Sequence, residues 1–165
     1  MGASINRFED VCDCGLRRGE GSRHAFGCNA MIGSVLDDED YELVLALARR
    51  KQEFNRQALL HGDCGVHNFV FDRQQFVGVI DPYPVVGEPI FDLIYAYCSS
   101  PDQLDAETIS AALDRCNPAL LGVYDLNAEV LIGLYSRIAT CLIHHPADLD
   151  EYMAAWKVWK ARAIS

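Results

Sequence analysis

One short stretch of the sequence places acidic, amide and imidazole side chains close together. It begins at His61, includes Asp63 and ends at Asn68, and Asp81 follows the next apolar runs. Two carboxylates and one amide are hard oxygen ligands, which Mg²⁺ prefers and which zinc and copper do not. Magnesium usually completes its shell with water and substrate phosphates, so the pattern indicates nucleotide chemistry. One such Asp alone is more often a turn or cap residue, but the three residues together favour a site.

Two β-type runs must bring these side chains together. Asn68–Phe71 and Phe76–Ile80 flank a short polar loop, and this pattern predicts a β-hairpin. Asp63 precedes the predicted hairpin and Asp81 follows it. We therefore expect both carboxylates at one end of a small antiparallel ladder, with the Asn68 amide oxygen on the same side.

Helical periodicity dominates the chain from Asp38 onward. Acidic residues early and basic residues late in two of the segments suit the helix macrodipole. The predicted elements besides the hairpin are a helix at 38–57, a strand at Ala58–Leu60, a helix beginning near Pro89, and helices at 105–116, 127–143 (Asn127 as N-cap) and 147–162. Residues 1–36 show little periodicity and predict an irregular leader. The predicted fold class is therefore α+β and mainly α-helical.

Length and composition predict one globular domain. The chain has 165 residues, is 50% hydrophobic and 23% charged, and carries a formal charge of −10. The acidic balance argues against nucleic acid as a partner and is compatible with a cationic ligand. The longest apolar run, Val130–Ile143, is interrupted by Ser136 and Arg137, and no secretory signal is visible, so we expect no membrane partner. Seven irregularly spaced cysteines in a chain of this size favour a reducing cytoplasm.

Three stretches around the site together resemble the aminoglycoside phosphotransferase and choline kinase family, which has the protein-kinase-like fold. They are Leu60–Asp72, Val79–Pro82 and Gly87–Leu93. The resemblance implies that Asp63 is the catalytic base, which accepts or orients the proton of the substrate hydroxyl. It also implies that Asn68 and Asp81 hold the Mg²⁺ ions that bridge the phosphates of ATP. His61 and Asp92 would fix the backbone around Asp63 without touching the substrate.

The spacing after Asp81 resembles that of small-molecule kinases. Protein kinases have a long activation segment and an Ala-Pro-Glu element there, whereas Asp92 follows closely in this chain. The resemblance therefore implies transfer of the γ-phosphoryl group of ATP to a hydroxyl of an aminoglycoside-like or aminoalcohol-like acceptor. Tyr152, Trp156 and Trp159 are candidate contacts for a cationic acceptor, but helix packing is the favoured interpretation of these aromatic side chains.

The resemblance covers the C-terminal lobe, predicted at residues 37–165, and not the N-terminal lobe of the family. That lobe supplies a strand-borne lysine and a loop that covers the phosphates. Here no strand-rich segment precedes the helix at 38, and Lys51 is the only lysine before Asp63. We expect this chain alone to be weak or inactive, and to self-associate or to be completed by a separate N-terminal lobe. The alternative is a non-catalytic module that binds nucleotide and magnesium or assists assembly.

The remaining cysteine and histidine residues offer weaker chemistry. Four residues near the N-terminus are of zinc-binding type: Cys12, Cys14, His24 and Cys28. Their Cys-x-Cys spacing and the lack of a second cysteine pair argue against a zinc module, which stays open as an alternative. Within the central motif, we expect His67 to be a partly exposed loop residue and Cys64 not to be a nucleophile.

Overall fold

The computed structural model describes residues 32–50, 57–116 and 123–165. Five α-helices and four short β-strands have their bounds within these ranges, so the predicted α+β, mainly helical fold class is confirmed. The helices are α1 (Asp38–Arg50), α2 (Ile90–Cys98), α3 (Ala106–Cys116), α4 (Leu126–His144) and α5 (Leu149–Ala163). The strands are β1 (Ala58–Leu60), β2 (Phe69–Asp72), β3 (Gln75–Val79) and β4 (Val85–Gly87).

The hydrophobic core is built around α4. Its fully buried side chains include Val130, Leu134 and Ile138, and the helix packs against α1, α2 and α5. In the described part of the chain, α4 is the one helix long and apolar enough to cross a membrane by length and composition alone. Ser136 and Arg137 therefore do not break the apolar segment as the sequence interpretation assumed. Packing against three other helices accounts for this composition, because a central core helix is apolar on most of its surface.

The aromatic side chains of α5 belong to the core. Tyr152, Trp156 and Trp159 are all at most 2% exposed. The Tyr152 hydroxyl donates a hydrogen bond to the backbone oxygen of Cys98, and Trp159 Nε1 donates to that of Leu104. Helix packing is confirmed for these three residues, and a direct contact with an acceptor is excluded because their rings have no accessible face.

The predicted hairpin is present as β2 and β3. The strands pair antiparallel, with Phe69 opposite Val79 and an irregularity between Val70 and Phe71. The two turn residues, Arg73 and Gln74, have φ of 46° and 68°. Positive φ at both central residues is the geometry of a two-residue hairpin turn whose twist matches that of the strands.

A second two-stranded sheet contains a strand that the sequence analysis missed. β1 is present as predicted, and it pairs antiparallel with β4, so that Leu60 lies opposite Val85. β4 is only three residues long and follows Pro82 and Pro84. Such a short run has no periodicity of its own, and its extended form depends on pairing with β1.

Two helix starts differ from the sequence predictions. The N-cap of α4 is Asp125, whose Oδ1 accepts a hydrogen bond from Ala128 N at 3.1 Å, so the prediction of Asn127 as N-cap is wrong. Asn127 lies within the first turn of the helix instead. The last helix begins at Leu149 because Pro146–Asp148 form a short 3₁₀ turn before it. Tight turns of this kind are frequent at helix ends.

The folded core extends to residues before α1. Ile32 and Leu36, within the segment predicted as an irregular leader, are buried in the same core as α4. The predicted continuation of α1 to 57 and Lys51 lie outside the described residues. The cysteine and histidine residues of zinc-binding type near the N-terminus also lie outside them.

Candidate active site

The loop between β1 and β2 is anchored by one carboxylate on α2. Asp92 accepts hydrogen bonds from the backbone N–H groups of His61 at 2.7 Å and Gly62 at 3.0 Å. Gly62 has a φ of +79°, and a Cβ at this position would clash with the backbone oxygen of Tyr83. Glycine alone adopts this conformation at such a close approach without strain. Asp92 and Gly62 together therefore set the backbone just before Asp63.

The side chain of Asp63 is held from two directions. The Tyr95 hydroxyl donates a hydrogen bond of 2.7 Å to its Oδ1. Asn68 Nδ2 donates to the backbone oxygen of Asp63 at 2.8 Å and lies 3.4 Å from its Oδ2. Asn68 is only 3% exposed, and its amide nitrogen is directed at Asp63. The side-chain oxygen of Asn68 is then the atom left for a further ligand.

His61 ties this loop to the segment that contains Asp81. Its Nε2 lies 3.0 Å from the backbone oxygen of Ile80, and because a carbonyl oxygen only accepts, Nε2 is the donor. The backbone oxygen of His61 accepts from Tyr83 N at 2.8 Å. Its Nδ1 is buried and has no hydrogen-bond partner among the described residues. His61 therefore bonds to the chain just before and just after Asp81.

Asp81 lies immediately after the hairpin and is exposed. Ile80 N donates to the backbone oxygen of Asn68 at 3.0 Å, which extends the pairing of β2 and β3 to the end near Asp63. Asp81 has a φ of +53°, the left-handed conformation, which Asp tolerates better than most residues. Backbone pairing and the His61 contact thus connect the three residues that the sequence analysis singled out.

The donor set fits magnesium better than zinc. In residues 32–50, 57–116 and 123–165, no group of three or more His, Cys, Asp and Glu side chains could hold a metal ion. The candidate ligands are instead one carboxylate, from Asp81, and one amide oxygen, from Asn68. Mg²⁺ is commonly held by one or two protein oxygens and completes its octahedron with water and substrate phosphates. The residue types of Asp81 and Asn68 therefore suit a Mg²⁺ ion bound together with a nucleotide.

The surroundings of Cys64 disfavour its thiolate form, and His67 lies at the surface. Burial raises the pKa of the Cys64 thiol, and the carboxylates of Asp92 and Asp63 raise it further. A raised pKa keeps the sulfur protonated and makes it a poor nucleophile. His67 is exposed in the short turn before β2, as expected for a loop histidine.

Two residues that position the loop were missed in the sequence analysis. They are Tyr95, which binds Asp63, and Ser99, whose Oγ accepts from Val66 N at 2.9 Å and donates to the backbone oxygen of Ala96. Asp92, Tyr95 and the C-cap residue Ser99 follow one another at spacings of three and four residues, so they lie on the same side of α2 and its C-terminal end. These regularly spaced polar residues in an otherwise apolar segment are the sequence signal from which Tyr95 and Ser99 could have been identified.

The strands beside the site expose apolar side chains. Phe71, Phe76 and Val77 of the hairpin are each more than half exposed, as is Val86 of β4. Clusters of exposed apolar side chains mark contact surfaces more often than single ones do. An isolated two-stranded sheet is also only marginally stable in water. The hairpin side of the site is therefore a candidate contact surface.

A comparison with protein-family models agrees with the motif resemblance. Residues 27–125 match the APH model, described as the phosphotransferase enzyme family. The match includes the loop from His61 to Asn68, together with Asp81 and Asp92, and its extent fits a C-terminal lobe alone. No curated protein and no solved structure matches the chain. Since the family model matches more than half of the chain, the chain belongs to the phosphotransferase enzyme family, the group of aminoglycoside phosphotransferases and choline kinases.

Proposed function

We propose that the chain is the catalytic lobe of an ATP-dependent phosphotransferase that acts on a hydroxyl group of a small molecule. The hydrogen bonds from Asn68 Nδ2 to Asp63 are the main support, because they join the proposed base to a proposed metal ligand. The left-handed, exposed Asp81 supplies the second metal ligand at the end of β3. Family membership supplies the reaction class.

Each residue has a distinct task in the proposed reaction. The acceptor hydroxyl donates its proton to Asp63 as its oxygen bonds to the γ-phosphorus of ATP and the bond to the ADP oxygen breaks. Mg²⁺, bound by Asn68 and Asp81, would neutralise charge on the phosphates. His61 and Asp92 hold the backbone on both sides of the site, and neither needs to touch the substrate.

The proposed acceptor is aminoglycoside-like or aminoalcohol-like. The formal charge of −10 suits a cationic acceptor and makes nucleic acid an unfavourable partner. We also propose a cytoplasmic location without a membrane partner. Free thiols support a reducing compartment. In the described ranges they are Cys64, Cys98, Cys116 and Cys141.

Efficient turnover in kinases of this fold needs a lysine at the α- and β-phosphates of ATP. The described lysines, Lys157 and Lys160, both lie on α5, and Lys160 forms an ion pair with Asp40. We therefore propose that this chain alone turns over weakly or not at all. A nucleotide-binding lobe would complete it, and the exposed apolar side chains of the hairpin would contact that lobe or a second copy of the chain.

Two measurements test the proposal. The first is calorimetric titration with Mg-ATP, and the second is transfer of labelled γ-phosphate to a panel of aminoglycosides, aminoalcohols and water. We expect Asp81→Asn to weaken Mg-ATP binding by about tenfold or more, because the metal loses its charged protein ligand. We expect Asp63→Asn to bind Mg-ATP normally and to lose the weak phosphoryl transfer of the parent protein. Asp72→Asn, on the same hairpin but at its turn, is the matched control.

The metal role of Asp81 and the base role of Asp63 can be refuted independently of each other. Unchanged Mg-ATP affinity in Asp81→Asn refutes the metal role, and an Asp63→Asn variant that transfers phosphate as fast as an active parent protein refutes the role of the base. Magnesium-dependent ATP binding without any transfer fits both a lobe that needs a nucleotide-binding lobe and the non-catalytic module, whereas measurable transfer to an acceptor would refute the non-catalytic module.

A further inference from the structure

Of the two described hydrogen bonds to the side chain of Asp63, the one from Tyr95 is the shorter. The Tyr95 hydroxyl lies 2.7 Å from Oδ1, whereas Asn68 Nδ2 lies 3.4 Å from Oδ2. A bond of 2.7 Å to a carboxylate is short and charge-assisted, while an N–H···O contact of 3.4 Å is weak. The orientation of the Asp63 carboxylate therefore depends mainly on Tyr95.

Tyr95 lies on the same helix, α2, as the residue that holds the backbone of the loop before Asp63. Asp92, one turn earlier on the same face, binds the backbone of His61 and Gly62. Tyr95 then binds the side chain of Asp63, and its ring packs against Phe91 with the centroids 6.1 Å apart. One rigid helix thus positions both the backbone and the carboxylate of the proposed base.

We propose that Tyr95 is a positioning residue that holds Oδ1 of Asp63 and leaves Oδ2 as the oxygen that accepts the proton of the acceptor hydroxyl. Oδ2 is the oxygen on the side of Asn68, the proposed metal ligand. Fixing it there brings the proton acceptor next to the phosphate-binding side of the site, and such orientation is a large part of catalysis. The inference rests on the proposed function and adds a residue to it.

Stability coupling tests the bond without any need for turnover. Tyr95→Phe removes the hydroxyl and keeps the ring, so we expect a lower urea midpoint for Tyr95→Phe than for the parent protein. We expect the same change to have little effect on the midpoint in an Asp63→Ala background, because the partner is then absent. Equal midpoint shifts in both backgrounds would overturn the inference.

The kinetic consequence separates positioning from general damage. In a parent protein that releases phosphate from Mg-ATP, we expect Tyr95→Phe to lower kcat about tenfold and to leave the calorimetric Kd for Mg-ATP unchanged; the stability coupling alone decides the inference in a parent protein without turnover. Tyr97→Phe is the matched control: it removes a hydroxyl from the same helix, but that hydroxyl donates to the backbone oxygen of Asp105 and not to Asp63. We expect the control to keep the parent kcat.

The outcomes distinguish this inference from the proposed function. If Tyr95→Phe keeps the kcat of the parent protein, or if both tyrosine variants lose kcat equally, the positioning role is refuted and the proposed function stands. Stability coupling in a protein that neither binds Mg-ATP nor transfers phosphate refutes the proposed function, and the positioning role in phosphoryl transfer falls with it.

Discussion

Replacing Asp92 by alanine should loosen the loop that contains Asp63. The carboxylate accepts hydrogen bonds from His61 N and Gly62 N, and both bonds are partly buried. Asp92→Ala removes both acceptors at once and leaves two backbone donors with solvent as their replacement partner. A single change on α2 therefore tests whether that helix sets the conformation of the loop.

The expected cost follows from the two bonds. A hydrogen bond to a charged group contributes roughly 1.5–3 kcal/mol, and partial exposure of Asp92 favours the lower figure. Asp92→Ala should therefore lower the free energy of unfolding by about 3 kcal/mol. Since a domain of this size is stable by roughly 5–15 kcal/mol, the variant should still fold. Asp125→Ala is the matched control, because it removes one N-cap bond, to Ala128 N, and should cost about 1 kcal/mol.

Urea unfolding followed by tryptophan fluorescence measures both variants. Trp156 and Trp159 are buried, so their emission should shift as the core opens. With a slope of roughly 1.5 kcal/mol/M, a loss of about 3 kcal/mol lowers the midpoint by about 2 M. A midpoint for Asp92→Ala equal to or above that of Asp125→Ala would refute the reasoning, since the two loop bonds would then contribute less than one cap.

Two further predictions concern the backbone and the pH dependence of stability. Gly62→Ala should destabilise by more than about 1–2 kcal/mol, the ordinary cost of the left-handed conformation, because its Cβ also meets Tyr83 O. Gly78→Ala, whose Cβ would meet nothing within 4 Å, should be close to neutral, and equal urea midpoints for the two variants would contradict this. The hydrogen bond to Asp40 raises the pKa of Lys160 above 10.5, so the stability from this pair is fully present below pH 10.5 and is lost as pH rises through the raised pKa. Burial raises the pKa of Tyr97, Cys98 and Tyr152, so both proteins should lose stability from pH 9 to 12. The loss should be larger in the parent protein than in Lys160→Met, and identical pH profiles would count against the contribution of the Lys160–Asp40 pair.

The predictable elements were those with a local signal. The hairpin follows from two apolar runs around a short polar loop, and the helices follow from apolar periodicity, so their locations agree with the structure to within a few residues. β4 and the start of α4 were not predicted correctly. The extended form of Val85–Gly87 depends on pairing with β1, and Asp125 and Asn127 are equally suitable cap residues by type.

The candidate site residues could be identified from the sequence. Asp63, Asn68 and Asp81 are oxygen ligands at a spacing that turns and helix caps alone rarely require. Their roles stay predictions, and the family of the chain is established by its match. Only the tertiary structure placed Tyr95 against Asp63, since that bond depends on how α2 packs beside the loop. The burial of Trp159 and its neighbours on α5 was the favoured interpretation of the sequence, and the tertiary structure confirmed it. Local spacing specifies which groups are available, whereas long-range packing determines which of them meet.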